Sequence, residues 1–244
     1  MRGEIYRILR KKNLYIYFGA FALGYILLVF IRSAGEFSEQ NLLADAENLF
    51  VFLPAVIGGY LFTALYTDDL HSKNLTALIG CGMGKAKIVL SKLLLMALFG
   101  ALLFGLVPLL MDAVYAMFGA PASAAVLKAV YIWALKSLLT MFAYAALSGI
   151  VVYGVQRATV AVVLYLLLAL GIVSQLLGLL FSWDFVASIA PNLADHLMSG
   201  ISVRIVFSLL GSGSGTSAWI EYAIYVAASA VLSVVAFHKK ELEF

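Results

Sequence analysis

The chain has one cysteine, Cys81, and that scarcity removes two classes of chemistry: an internal disulfide and a thiolate cluster for a metal ion. Histidine is nearly as rare. His71, His196 and His238 fall in three separate polar stretches, and no HExxH-type pair places two of them on one helix face. Asp195 and His196 are adjacent, but neighbouring helical residues point about 100° apart, so adjacency does not make a dyad. The glycine-rich stretch "GCGMGKAK", residues 80–87, lacks what a phosphate-binding loop needs. Ile79 stands where its first glycine belongs, and Ala86 where a Mg²⁺-binding hydroxyl belongs. The chain is therefore not read as an enzyme, and no cofactor or metal of its own is expected.

Charge is scarce too. Charged residues make up 12% of the chain and hydrophobic residues 64%, against roughly 25% and 45–50% in soluble domains; the mean hydropathy is +1.03. The fold class expected is an all-α polytopic membrane protein. A helix needs roughly 20 apolar residues to cross a bilayer, and six such runs occur, at about 14–31, 49–66, 89–111, 137–155, 158–181 and 219–237. The basic "MRGEIYRILRKKN" precedes the first run, and no small-residue cleavage site closes that run before Ile31, so it is expected to stay as a span.

An even number of spans puts both termini on one side, and Lys and Arg favour the cytoplasm. With both ends inside, the cytoplasmic segments hold Arg2, Arg7, Arg10, Lys11, Lys12, Lys73, Lys85, Lys87, Lys92, Arg157, Lys239 and Lys240. The outside receives only Arg32, Lys128, Lys136 and Arg204. This predicts a multi-pass protein of the cell membrane with cytoplasmic termini.

The interiors of the six runs contain no Asp, Glu, Lys, Arg or His; Lys92 and Glu221 lie near span ends. A proton- or ion-coupled carrier would need such a group, so any active transport is expected to draw its energy from another subunit. Tyr144, Ser148, Tyr153, Ser174 and Gln175 are the polar candidates for a pathway lining, and Glu221 for a gate; hydrogen bonding between helices and a headgroup contact explain the same residues. Pro54, Pro108, Pro121 and Pro191 all fall on the expected external side, and Gly58-Gly59 follow Pro54. They suit either a movable gate or the ordinary glycine and proline content of membrane helices.

Four segments outside the spans have a recognisable pattern. Ile5, Ile8 and Leu9 share one helical face among basic residues, which suits an N-terminal helix lying on the inner leaflet or an extension of the first span. In the loop 67–88, Leu75, Leu78 and Ile79 form one apolar face, and "GCGMG" ends that helix. Residues 122–136, with Tyr131 and Trp133, suit an interfacial stretch with snorkelling lysines. The external segment 182–218 includes the apolar "ISVRIVFSLL", a re-entrant or surface helix, and the connector "GSGSGTS".

Residues 67–94, "TDDLHSKNLTALIGCGMGKAKIVLSKLL", resemble the intracellular loop of type-2 ABC transporter permeases. On that resemblance Asp68 or Asp69 is the acidic residue closing the second span, and Leu75, Leu78 and Ile79 are the apolar face of a coupling helix. Gly82 and Lys85 are the glycine and the basic residue that come next, and Ile88, Ser91 and Lys92 begin the third span. A second acid and Gly84 depart from the pattern. The resemblance implies an exporter permease that works as a dimer, with a second copy or a related permease, and contacts membrane lipid but no nucleic acid. A separate ABC ATPase, holding ATP and Mg²⁺, would dock on the 67–88 loop, and the substrate would be a peptide, lipid or other amphiphile. A membrane scaffold or sensor, or a self-sufficient channel, stays open beside it.

Overall fold

The computed structural model describes residues 2–33, 37–71, 74–183, 192–211 and 215–240. Lys73, Pro191, the centre of the 211–217 connector and the tail beyond Lys240 lie outside the described residues. The regular elements among the described residues are all helical: α1 (Arg2–Leu9), α2 (Lys12–Ser33), α3 (Glu39–Phe62), a π-helical turn (Thr63–Thr67), α4 (Asp68–His71), α5 (Asn74–Gly80), α6 (Lys85–Met117), α7 (Ala124–Val155), α8 (Ala158–Ala169), α9 (Ile172–Phe181), a 3₁₀ turn (Leu193–His196), α10 (Met198–Leu209) and α11 (Thr216–Lys239). Five stretches are long and apolar enough to cross a membrane, and six if α8 and α9 count as one span.

The fifth span departs from the expected continuous helix over 158–181. It breaks between α8 and α9 with a bend of 60°. Gly171 stands in the break at φ +76°, a left-handed conformation that only glycine adopts without a steric penalty. Neither side of the break is polar, which is why hydropathy runs straight through it. Other helices outlast their apolar runs. The third span extends to 85–117, and the stretch expected to be interfacial, 122–136, is mostly the first turns of α7. At the N-terminus, α1 and α2 are separate helices; Ile8 is buried, Ile5 packs partly, and Leu9 is exposed.

Packing centres on α7, which touches α3, α6, α8, α10 and α11. The window tested in the second span is 67% buried and that in the first only 17%, so α3 is internal and α2 peripheral. Tyr17 fixes α2 to α3 by donating to the Val56 carbonyl at 2.8 Å and stacking on Tyr60. Pro54 inside α3 has no N–H to give the Phe50 carbonyl one turn back. Ser137 of α7 supplies the missing donor through its hydroxyl, and Tyr165 of α8 donates to the Pro54 carbonyl at 2.7 Å.

Close approach fixes two glycines. A Cβ on Gly58 would lie 2.0 Å from the Tyr165 hydroxyl and 2.5 Å from Met141 Cγ; one on Gly100 would lie 2.4 Å from Met141 Cε. Met141 thus sits between α3 and α6 only because both present hydrogen there. At the end of the bundle where α3 begins, Glu39 accepts from the Ser123 backbone N–H at 2.6 Å, and the Tyr115 hydroxyl donates to buried Asp45 at 2.8 Å. Replacing Gly58 with Ala should cost about 1–3 kcal/mol through overpacking, read as a lower unfolding midpoint in detergent. Adding Tyr165→Phe, which removes the atom the new Cβ strikes first, should restore part of the loss; an unchanged midpoint in Gly58→Ala would contradict this packing.

Candidate functional site

Two regions concentrate polar groups. The first is the 67–88 loop. It succeeds the π-helical turn, whose Thr63 hydroxyl donates to the Gly59 carbonyl at 2.9 Å; such turns insert an extra residue and shift the register of the residues beyond them. The shift delivers Asp69 inward. Its carboxylate and the Lys92 ammonium are both 1% exposed and form an ion pair, and Arg7 Nη1 of α1 donates to Asp69 Oδ1 at 2.7 Å. Asp68, more exposed, pairs with Lys11.

Lys92 keeps its expected place near the start of the third span, but it is buried and paired rather than facing solvent or headgroups. It lies seven residues into α6, roughly 10 Å along the axis at 1.5 Å per residue, and is fully buried. Ile88 is buried in the core, and Ser91 returns its hydroxyl to the Ile88 carbonyl at 2.8 Å.

The apolar face of α5 is turned inward. Leu75 is buried, and Leu78 and Ile79 pack partly against the core, whereas Thr76, Ala77, Cys81 and Lys87 are exposed. Gly82, at φ +82°, closes the helix: the Met83 N–H donates to the Leu78 carbonyl at 3.1 Å and the Gly82 N–H to Ile79 at 2.9 Å, the paired bonds of a Schellman turn. Lys85 does not reach outward either. Its ammonium donates to the Phe237 carbonyl at 2.8 Å and the Lys240 carbonyl at 3.3 Å, capping the last turn of α11. These contacts bring α1, α5, the start of α6 and the end of α11 to one end of the bundle.

The second region is a cavity of about 320 Å³ between α3, α7, the α8–α9 bend and α10. It brings together three of the expected pathway residues, Tyr144, Ser174 and Gln175. The Tyr144 hydroxyl is 3.2 Å from the Ser174 hydroxyl, across the bend. Ser148, one turn further along α7, is outside the cavity; its buried hydroxyl has no hydrogen-bond partner among the described residues. Glu221 is elsewhere. Its carboxylate receives Arg204 Nη1 at 3.2 Å and Nη2, and lies 3.0 Å from His196 Nδ1, so it ties α10 and the 3₁₀ turn to the start of α11.

Sequence reading missed Lys136, Ser137, Thr140 and Ser202 as cavity residues. A signal was present for two of them: Lys136, Thr140, Tyr144 and Ser148 recur every four residues, which aligns them as one polar stripe on α7. Only the bend in the fifth span gives that stripe a cavity to face. Compared with known proteins, the chain matches no protein-family model and no curated sequence.

Replacing Lys92 with Met leaves the Asp69 carboxylate buried with one cation fewer. Breaking a buried pair costs about 3–5 kcal/mol, so folded yield and unfolding midpoint in detergent should drop sharply. The double variant Lys92→Met, Asp69→Asn should lose clearly less than the sum of the two single changes; an additive loss would contradict the pairing.

Proposed function

We propose that this chain is the permease subunit of an ABC exporter, forming a substrate pathway as a dimer and driven by a separate ATPase that docks on the 67–88 loop. The observation that carries the reading is the tethering of that loop. The short helix α5 is flanked on one side by Asp69 of α4, which pairs with α1 and α6, and on the other by Lys85, the first residue of α6, which caps α11. A push on such a helix from outside reaches three elements at once, as a drive by a separate motor requires. The chain lacks a phosphate-binding loop, so the motor belongs to a partner. The multi-span helical architecture and the cavity beside a broken span suit a pathway, because discontinuous membrane helices commonly border the binding sites of transporters. On this reading both termini and the loop are cytoplasmic, in line with the excess of Lys and Arg there.

The inward-turned face of α5 favours a second reading, a scaffold that recruits a partner without moving a substrate. What α5, its turn and the first turn of α6 expose to a partner is small or polar: Thr76, Ala77, Cys81 and Lys87. The two readings separate on whether an ATPase is held there. Affinity purification from native membranes in mild detergent should bring down a P-loop ATPase with measurable ATP hydrolysis. Ala77→Trp, on the exposed side, should remove the ATPase while leaving the unfolding midpoint unchanged, whereas Leu75→Asp should lower both. A chain that purifies alone and without ATPase activity, under conditions that preserve other complexes, would overturn the permease reading.

A further inference from the structure

Among the described residues, the wall of the cavity at the α8–α9 bend offers hydrogen-bond donors and no acid, and Lys136 is the one charged residue on it. Its ammonium stands 4.7 Å from the centre of the Trp133 ring and has no carboxylate within ion-pair distance among the described residues. The Gln175 amide is exposed and unbonded on the same wall. Tyr144 and Ser174 share one hydrogen bond, which uses one of their two hydroxyl hydrogens and leaves the other to give. In the first turn of α9, Ser174 lines the cavity, and its backbone N–H precedes the first bond within that helix, at the positive end of the dipole.

The acceptors are neutral. The hydroxyls of Ser137, Thr140 and Ser202 give their hydrogens to the carbonyls of Phe50, Lys136 and Ser199, so they can only accept from a ligand. Ser199 of α10 also lines the cavity, and most of the remaining wall is apolar, with Phe50, Val51 and Pro54 on α3, Leu168 on α8 and Val203 on α10. A volume of about 320 Å³ lies at the small end of ligand pockets, roughly 300–1,000 Å³, enough for a headgroup and the start of a chain.

We propose that this cavity binds an amphiphile with a phosphate or carboxylate headgroup, the anion lying against Lys136, Gln175 and the first turn of α9, and the chain leaving along the Phe50–Pro54 wall. Glu47 of α3 acts electrostatically on Lys136. It is exposed and stands outside the cavity wall, so it opposes the incoming anion. The proposal deepens the permease reading by naming what the pathway holds, and rests on it only for the ligand being moved; binding itself needs no ATPase, so the two fail separately.

The test uses the full chain in neutral detergent, titrated with short-chain phosphatidylglycerol, with dodecanoate, and with phosphatidylcholine of matching chain length, and monitored by native mass spectrometry. At least one of the anionic amphiphiles should bind about tenfold or more tightly than phosphatidylcholine, the scale of one charged hydrogen bond. Lys136→Gln should abolish the preference, and Glu47→Gln, a surface change that leaves the fold alone, should strengthen it. Phosphatidylglycerol that co-purifies with the wild type and is absent from Lys136→Gln would support the proposal with a bilayer lipid as the source. Binding confined to added dodecanoate would support it with a solute amphiphile. Equal binding of phosphatidylcholine, a preference unmoved by both substitutions, or inorganic phosphate alone competing as well as the amphiphiles would overturn it.

Discussion

One buried carboxylate holds three elements of the bundle in register. Asp69 lies between the ammonium of Lys92 and the guanidinium of Arg7, and each of the three comes from a different element. Removing such charges from water is expensive, and their mutual attraction offsets the cost only when geometry and partners are kept. That makes the arrangement intolerant of displacement. A shift of α1, of the 67–71 segment or of α6 would leave a charge buried without its partner, so the three are constrained to move together. The cap that Lys85 places on α11 extends the same constraint to the last helix.

A different kind of constraint holds the middle of the bundle. There the chain relies on hydrogen at Gly58 and Gly100, on the Ser137 hydroxyl that replaces the backbone donor missing at Pro54, and on the Tyr165 bond to the Pro54 carbonyl. Close approach and a repaired carbonyl let α3, α7 and α8 pack tightly beneath the cavity. The bend at Gly171 then turns α9 away, opening the space that the polar stripe of α7 faces. Rigidity at one end and an irregular, partly polar region along the same helices are what a mechanically driven pathway would need.

Much of the helical layout was legible from hydropathy, because a run of apolar residues long enough to span a bilayer admits few alternatives. The end of α5 was legible for a local reason: the glycines of "GCGMG" can take the left-handed turn, and Gly82 is the one that does. What escaped was whatever depends on a partner distant in sequence. Lys92 read as a residue at the start of a span, since nothing nearby announces that Asp69 meets it from the far side of the loop. Leu75 read as a face for a partner, but amphipathicity gives an apolar face without saying which surface covers it, and here the bundle does. The break at residues 170–171 was hidden because both of its halves are apolar, and with it the meaning of the four-residue repeat from Lys136 to Ser148.

Whether Asp69 ties α1, the loop and α6 into one unit can be read from amide hydrogen exchange on the wild type and on Asp69→Asn in the same detergent. If it does, exchange should quicken together in α1, α5 and the first turns of α6, with α7 and α8 unchanged. Faster exchange confined to the few residues around position 69 would contradict the coupling.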